Sequence, residues 1–489
     1  MSVLDCSHYV RPTGINHQSW TFTAPPHWQR KRLRSLCKVN PSATTKLRTM
    51  AGSTEVSFLP MELAKAGSPE LAPRTAALSD VRNGFTPFLD GDLLIAKITP
   101  CFENGKGGIA DNLLNGIGFG STEFHVLRPG PEIDARFLYY ATMSEPFREI
   151  GVRMMRGSAG QQRVPVEFLN DFVMVFPDIR TQRLIAEFLD RYMRLTGSLI
   201  RAKRRQIELL NEQKQSIINK AVTRGLDPNM RLKPSGIEWL NSMPEHWEVW
   251  QIGHLAKVGN GSTPSRGNPA YWFGGTYPWL NSASVHQGRI IKAPQFVTDL
   301  ALRECHLPKA PPGSVLVAIT GQGKTRGTAA VLCIEATINQ HLVHITPRGA
   351  SVSPDYLQMY LSAAYSELRA LSDDSGGTKG ALTCHDMRHF RVALPPIDEQ
   401  VRIVELVNHK TTSIERAVHH IRQETDLLLE YRTRLIADVV TGKLDVRDVE
   451  LPNLEDADIA YDLGDSNFDS NDDQDDLPDA EEVEADDED

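Results

Sequence analysis

Residues 395–407 read "PPIDEQVRIVELV". Two prolines lead into two acids and a glutamine, and apolar residues then recur at helical spacing. Proline is tolerated in a first helical turn and acids favour the positive end of the helix dipole, so the stretch reads as a helix start. Residues 177–189, "PDIRTQRLIAEFL", start the same helix a second time. Pro177, Ile179, Gln182, Ile185 and Glu187 match Pro395, Ile397, Gln400, Ile403 and Glu405 at an offset of 218. A chain that starts one helix twice must be searched for a repeat before anything else.

The repeat runs through the whole chain. "PPHWQRKRLRSLCKVN" (25–40) echoes "MPEHWEVWQIGHLAKVGN" (243–260), and "RPTGI" (11–15) echoes "KPSGI" (233–237). "GDLLIAKI" (91–98), "ARFLYYAT" (135–142), "GSAGQQRV" (157–164) and "AVTRGLD" (221–227) align with "GSVLVAIT" (313–320), "PDYLQMYL" (354–361), "SGGTKGAL" (375–382) and "VVTGKLD" (439–445). Offsets between 218 and 222 define one diagonal, so the chain is a duplication.

Each half begins with a mixed segment, 25–180 and 244–398. Short apolar runs such as "DLLIAKI", "DFVMVF", "SVLVAI" and "FRVAL" predict strands, and "ARFLYYATMSEPFREI" and "PDYLQMYLSAAYSELRALS" predict helices. Each half then ends in a long helix with a heptad seam. Thr196, Ile200, Lys203, Ile207, Leu210, Lys214, Ile217 and Ala221 match Ile414, Val418, Ile421, Thr425, Leu428, Arg432, Leu435 and Val439 at offset 218. No glycine or proline interrupts 198–223 or 399–441. Neither helix is apolar enough to stand alone, and the other copy is the expected partner.

With 40% hydrophobic and 24% charged residues, the composition is that of a globular protein. No apolar run approaches the roughly 18 residues that span a bilayer, and the N-terminus does not read as a secretory signal. The six cysteines contain no CxxC pair, which points to reduced thiols and away from a disulfide framework or a zinc site. The net charge of −9 conceals a division: residues 450–489 hold 19 acids and no Lys or Arg, leaving 43 acids against 53 Lys plus Arg in 1–449, a net of +10. A tail so charged and so poor in aromatics is expected to be disordered, serving solubility or competing with an anionic ligand of the basic body.

No catalytic cluster emerges. "AITGQGKT" (318–325) fits a relaxed phosphate-loop pattern, but its continuation "RGTAAVL" predicts a strand where a phosphate loop needs a helix, and the first copy has no counterpart. There is no GxGxxG after a strand, no NPPY-like or DPPY-like tetrapeptide, no HExxH and no GxSxG at Ser158. His27 and His246 both precede tryptophan, which favours packing or turn roles over catalysis. Two like domains on a rigid spacer instead suit a binder of duplex DNA, whose half-sites lie about 34 Å apart per turn. Lys and Arg in glycine-bearing loops, "KITPCFENGKGG" and "GQGKTRG", would supply the contacts to phosphates and base edges.

In this order, and twice over, the motifs resemble the specificity subunits of Type I restriction–modification systems. The resemblance rests on "PPHWQR" and "PEHWEV", "GSAGQQRV" and "SGGTKGAL", "FPDIRTQRLIAEF" and "LPPIDEQVRIVEL", with "SGIEWLNSMPEHWEV" (235–249), "ITPCFENGKGGIA" (98–110) and "GSTEFHVLRP" (120–129). It covers residues 11–449; "PDIRTQ" departs from the pattern "PPLxEQ", and the acidic tail lies outside it. It implies an α+β fold with two duplicated target-recognition domains, joined by two long antiparallel helices as a coiled-coil spacer with pseudo-two-fold symmetry. The expected parts are an N-terminal lead (1–24), recognition domain 1 (25–180), spacer helix 1 (181–225), a linker (226–243), recognition domain 2 (244–398), spacer helix 2 (399–445) and the tail (446–489).

The resemblance further implies a non-catalytic, cytoplasmic chain that binds a bipartite, asymmetric target in double-stranded DNA. Two modification (methylase) subunits would use S-adenosylmethionine, and restriction subunits would use ATP and magnesium; no cofactor is expected in this chain. Candidate DNA contacts are Lys97, Lys106, Gln161, Gln162, Arg163, Lys324, Arg326 and Lys379, and the spacer seam is Ile207, Leu210, Ile217, Ile421, Leu428 and Leu435. The stretches "GSAGQQR" and "SGGTKG" have a second reading, as braces between domain and helix. Alternatives to the whole are the specificity subunit of a related Type II methylase–nuclease system, a duplicated scaffold that binds only protein, and a phosphate-loop enzyme built on Lys324.

Overall fold

The computed structural model describes residues 24–449 apart from 49, 68, 159, 322–323 and 374–379, and for 44, 45 and 373 the backbone only. The acidic tail and "RPTGI" lie outside the described residues. The chain forms two compact units. Among the described residues the first takes 24–203 together with 422–449, and the second takes 204–421. Each long helix therefore contributes to both units, and each unit contains a segment of both long helices.

The same sheet is built in each unit. In the first, strands Cys37–Val39, Phe124–Pro129, Leu93–Ala96 and Gly107–Ile109 lie side by side in that order. The second repeats it with Ala256–Asn260, Leu342–Pro347, Val315–Ala318 and Ala329–Leu332, and adds Arg289–Ile290 at the edge. The central strands are antiparallel in matched register, Ala96 opposite Phe124 and Ala318 opposite Leu342. Both central strands, "LLIA" and "VLVA", are buried at every position, so they read as continuous apolar runs rather than alternating ones.

The copies diverge in their second sheets. The first unit pairs Arg74–Ala77, Glu55–Leu59, Ile117–Gly120 and Thr86–Leu89, whereas the second has three strands, Gln295–Val297, Tyr277–Leu280 and Thr337–Ile338. Both contain one parallel pair, Glu55–Leu59 with Ile117–Gly120 and Tyr277–Leu280 with Thr337–Ile338.

The start of each long helix is held by one glutamine. A two-stranded ribbon, Gln29–Arg32 with Val173–Phe176, leads through Pro177 into the helix Ile179–Arg224; Glu248–Gln251 with Arg391–Leu394 leads through Pro395 into Ile397–Val440. Gln182 and Gln400 are fully buried. Gln182 donates to the carbonyls of Pro177 (2.9 Å) and Glu132 (3.0 Å) and accepts from the Asp134 N–H (2.8 Å). Gln400 donates to Pro395 (2.8 Å) and Ser351 (3.0 Å) and accepts from the Ser353 N–H (2.8 Å). Asp134 and Ser353 are the N-caps of the helices Ala135–Met143 and Pro354–Ala363. One side chain thus ties the helix start to its own preceding turn and to the cap of a second helix.

At the far ends the exchange is reciprocal. In the first unit Leu435, Ile436, Val439 and Val440 of the second helix enter the core of the first domain, and in the second unit Ile218, Ala221 and Val222 of the first helix enter the core of the second. The two prolyl-histidyl-tryptophan turns receive these ends: Trp28 and Trp247 N–H groups donate to Pro25 and Pro244 carbonyls, each at 3.0 Å. Gly442 and Gly225 follow the helices with φ of 73° and 71°; a Cβ at Gly442 would lie 2.4 Å from Pro25 Cδ, and one at Gly225 would lie 3.3 Å from Trp247 Cζ2. The two tryptophans are packing residues, whereas His27 and His246 are exposed and His246 Nε2 meets Glu399 Oε2 at 2.7 Å.

Within each unit the helix segments run antiparallel. Tyr192 meets Tyr431 (ring centroids 5.9 Å apart) and Lys203 Nζ meets Glu424 Oε2 at 2.5 Å in the first; Lys214 Nζ meets Glu415 Oε1 at 2.6 Å and Ile218 shares a core with Ile403 in the second. Ile421 and Leu435 are buried, while Ile207, Leu210, Ile217 and Leu428 are half-buried, as in a two-helix seam without a third layer. The lysines that interrupt the heptad reach across to carboxylates with their stems along the seam.

Three sequence expectations change. Each long apolar segment read as one helix is two: Ala135–Met143 and Glu145–Met154 break at Ser144, where Pro146 starts a new helix, and Pro354–Ala363 and Tyr365–Asp373 break at Ala364. Residues within 226–243 form an antiparallel hairpin, Leu232–Ile237 with Leu240–Pro244. Val446 is buried against the first core, so the packed body extends past the second helix. Gln400→Ala is expected to leave the buried Pro395 carbonyl without its partner, to free the part-buried Ser351 carbonyl and Ser353 N–H, and to lower unfolding stability by about 1–3 kcal/mol, with Gln182→Ala costing about as much. Chemical denaturation of each variant checks this.

Candidate nucleic-acid interface

In the first domain five of the sequence-predicted residues converge. The strand Leu93–Ala96 runs into the loop 97–106, whose two ends are tied by the Ala96 N–H donating to the Lys106 carbonyl at 3.0 Å. Lys97 receives the Val164 N–H on its carbonyl at 2.8 Å, which draws the 157–164 segment against the loop. Thr99 and Gln162 exchange backbone and hydroxyl hydrogen bonds at 3.0–3.2 Å. Gln161 and Arg163 are exposed, and Lys97, Lys106 and Gln162 are half-buried.

Arg163 is not a bare cation. Its Nε and Nη2 donate to Glu123 Oε2 and Oε1 at 2.9 and 2.8 Å, and its Nη1 donates to the Gln161 carbonyl at 3.2 Å. The hydrogen-bonded guanidinium holds the Glu123 carboxyl below its usual range, and Glu123 in turn raises Arg163. Beneath the pair, burial pushes His125 down; its Nε2 meets the Val164 carbonyl at 2.9 Å.

In the second domain the equivalent loop leaves Val315–Ala318 and returns as Ala329–Leu332, paired antiparallel. This is a strand–turn–strand hairpin, so no helix follows Lys324 to face a phosphate, in line with the strand predicted from "RGTAAVL". Lys324 is exposed. Arg326 is only 6% exposed and donates through Nη1 to the Gly380 carbonyl. Its predicted place on an open loop is therefore corrected: the guanidinium is held against the backbone at Gly380. Lys379 lies outside the described residues. The Ile319 carbonyl accepts from the Leu382 N–H at 2.9 Å, the counterpart of the Lys97–Val164 bond.

Beside this loop stands a polar group absent from the sequence reading. Thr263 Oγ1 donates to Gln340 Oε1 at 2.7 Å, Gln340 Nε2 meets His341 Nε2 at 3.1 Å, and His341 Nδ1 meets Thr320 Oγ1 at 2.8 Å. Glu123 was missed likewise. The signal was available: "STEFH" (121–125) and "NQHLV" (339–343) share the 218 offset but no residue, and a repeat search that follows identities passes over them.

The arrangement is a duplicated binding framework: two like sheets, each presenting a glycine-bearing loop flanked by polar side chains that differ between copies. The model of the Type I restriction modification DNA specificity domain matches residues 25–209 and 244–418, and the chain belongs to that family. It is 38% identical over 179 residues to the Type I restriction enzyme EcoAI specificity subunit of Escherichia coli, a match covering 36% of this chain and 29% of that one. It is 34% identical over 194 residues to the EcoEI specificity subunit of the same organism, covering 38% and 31%. The chain thus spans less than a third of the length of these two relatives. Against the putative MjaX specificity subunit of Methanocaldococcus jannaschii the identity is 23% over 367 residues, covering 73% of this chain and 79% of that one. A solved chain from work on complex assembly and conformational transition of the type I R-M system shares the fold, with a TM-score of 0.66 at 19% identity over 86% of this chain and all of that one.

The contrast between neighbouring cations yields a test. Arg326→Ala should lower the melting temperature by several degrees, because removing a buried donor costs about 1–3 kcal/mol. Lys324→Ala should leave melting unchanged within about 1 °C, as expected for an exposed residue whose loss is worth under ~0.5 kcal/mol. Thermal unfolding followed by circular dichroism measures both.

Proposed function

We propose that this chain is the DNA sequence-recognition subunit of a Type I restriction–modification complex. The observation that carries the reading is the duplicated framework itself: one fold and one glutamine-clamped helix start, twice, with different side chains around each loop. A reader of a bipartite, asymmetric target needs that combination, the same delivery system with two different contents. Recognition domain 1 (25–180) would read one half of the site and domain 2 (244–398) the other, and the long helices would set the number of base pairs between them.

The exposed Lys324 and the half-buried loop cations Lys97 and Lys106 supply the phosphate contacts, and Gln161, Gln162 and Arg163 stand beside the latter two; Lys379 belongs to the same candidate set. Two modification subunits dock on this chain and methylate adenine with S-adenosylmethionine, and restriction subunits add ATP- and magnesium-dependent cleavage. The chain itself performs neither reaction and works in the cytoplasm. Counterion release makes such binding salt-dependent.

Three measurements test this. Lys324→Glu should reduce DNA affinity and flatten the slope of log affinity against log salt by roughly one charge's worth; an unchanged slope removes Lys324 from the contacts. In methylome sequencing of a host carrying this chain and its modification subunits, exchange of residues 25–180 for a relative's segment should change one half of the modified site and leave the other half and the spacing intact. Altering the length of the 182–223 helix should change only the spacing. A single exchange that rewrote both halves would sink the bipartite reading.

A further inference from the structure

Both domains contain one turn with the same backbone and different side chains. In the first, Ser121 Oγ accepts from the Glu123 N–H at 3.2 Å; in the second, Asn339 Oδ1 accepts from the His341 N–H at 3.1 Å. The Glu123 and His341 carbonyls accept from the N–H groups of Lys97 and Ile319 at 2.8 and 2.9 Å, and the Lys97 and Ile319 carbonyls accept from Val164 and Leu382 at 2.8 and 2.9 Å. These matched bonds place Thr122–Glu123 in the first domain where Gln340–His341 stand in the second. A frame common to both copies cannot tell one half-site from the other. On the DNA-recognition reading proposed above, discrimination must come from unlike, accessible side chains; this turn carries Gln340 in the second domain and, in the first, Glu123 with the Arg163 that pairs to it.

The donors and acceptors left over are specific. Arg163 has five N–H bonds, of which Nε and one on Nη2 go to Glu123 and one on Nη1 goes to Gln161. One N–H remains on each of Nη1 and Nη2 of a side chain that is 45% exposed. Two parallel donors match O6 and N7 of guanine. In the second domain Thr263 donates to Gln340 Oε1, and Gln340 Nε2 donates to His341 Nε2, whose Nδ1 then carries the ring proton toward Thr320. The exposed Gln340 amide keeps one N–H and one acceptor lone pair, the complement of N7 and N6 of adenine. Both groups are held in place by neighbours rather than by a ligand, which lowers the ordering cost of binding.

We infer that Arg163, oriented by Glu123, reads a guanine in the half-site of the first domain, and that Gln340, oriented by Thr263 and His341, reads an adenine in the half-site of the second. The inference rests on the DNA-recognition reading.

The test uses the chain together with its modification subunits in a host without other methylation. Methylome sequencing of the wild type should give a bipartite motif with a guanine in one half and, in the other, an adenine besides the modified base. Arg163→Ala should make one guanine position degenerate in the half assigned to residues 25–180 and leave the other half unchanged; Gln340→Ala should relax one adenine position in the opposite half only. A second arm needs no variant: duplexes carrying 7-deazaguanine or 7-deazaadenine lack only the N7 acceptor, and each should weaken binding of the wild-type complex roughly tenfold or more at one position. A motif unchanged in either variant, relaxation of both halves by one substitution, or deaza duplexes bound as tightly as unmodified ones overturns the inference. A wild-type complex that yields no bipartite motif removes the DNA-recognition reading itself.

Discussion

A long helix can hold a domain at a fixed angle only if its first turn cannot swing, and here one buried amide opposes the swing. Gln182 and Gln400 each satisfy one buried prolyl carbonyl together with a part-buried carbonyl and N–H. Because a buried, unmet backbone group costs about 1–3 kcal/mol, the clamp fixes the angle at which each domain meets its helix far more firmly than surface contacts could.

The seam shows how a mixed heptad is made workable. Lys203 and Lys214 stand where a coiled coil wants apolar residues, and each finds a carboxylate on the opposite helix. Exposed ion pairs of this kind add little stability, usually under ~1 kcal/mol, but an unpaired charge at the seam would oppose register. Their contribution is to alignment. Stability comes from the apolar ends of the helices, which enter the cores of the two domains.

Duplication separates what must stay from what may vary. The antiparallel four-strand order and the loop-tying hydrogen bonds recur in both units. The second sheets and the side chains around the loops do not: an arginine–carboxylate pair stands in one unit, and a threonine–glutamine–histidine chain stands in the other. Changing a side chain on such a fixed turn leaves the packing beneath it alone.

Much of the architecture was written locally and so was legible in the sequence. The doubled helix start, the heptad, the buried strands and the prolyl-histidyl-tryptophan turns all depend on spacing within a few residues, where periodicity and turn chemistry act directly. Side-chain pairing across the fold was not legible. Glu123 and Arg163 are 40 residues apart in sequence, and Lys214 and Glu415 are 201 apart; only folding brings them together. The same reason explains Arg326. In sequence it is one more cation beside a glycine, equal to Lys324, and nothing local says which of the two faces water. Tertiary structure decides, because the 380–382 segment closes over Arg326 and leaves Lys324 outside.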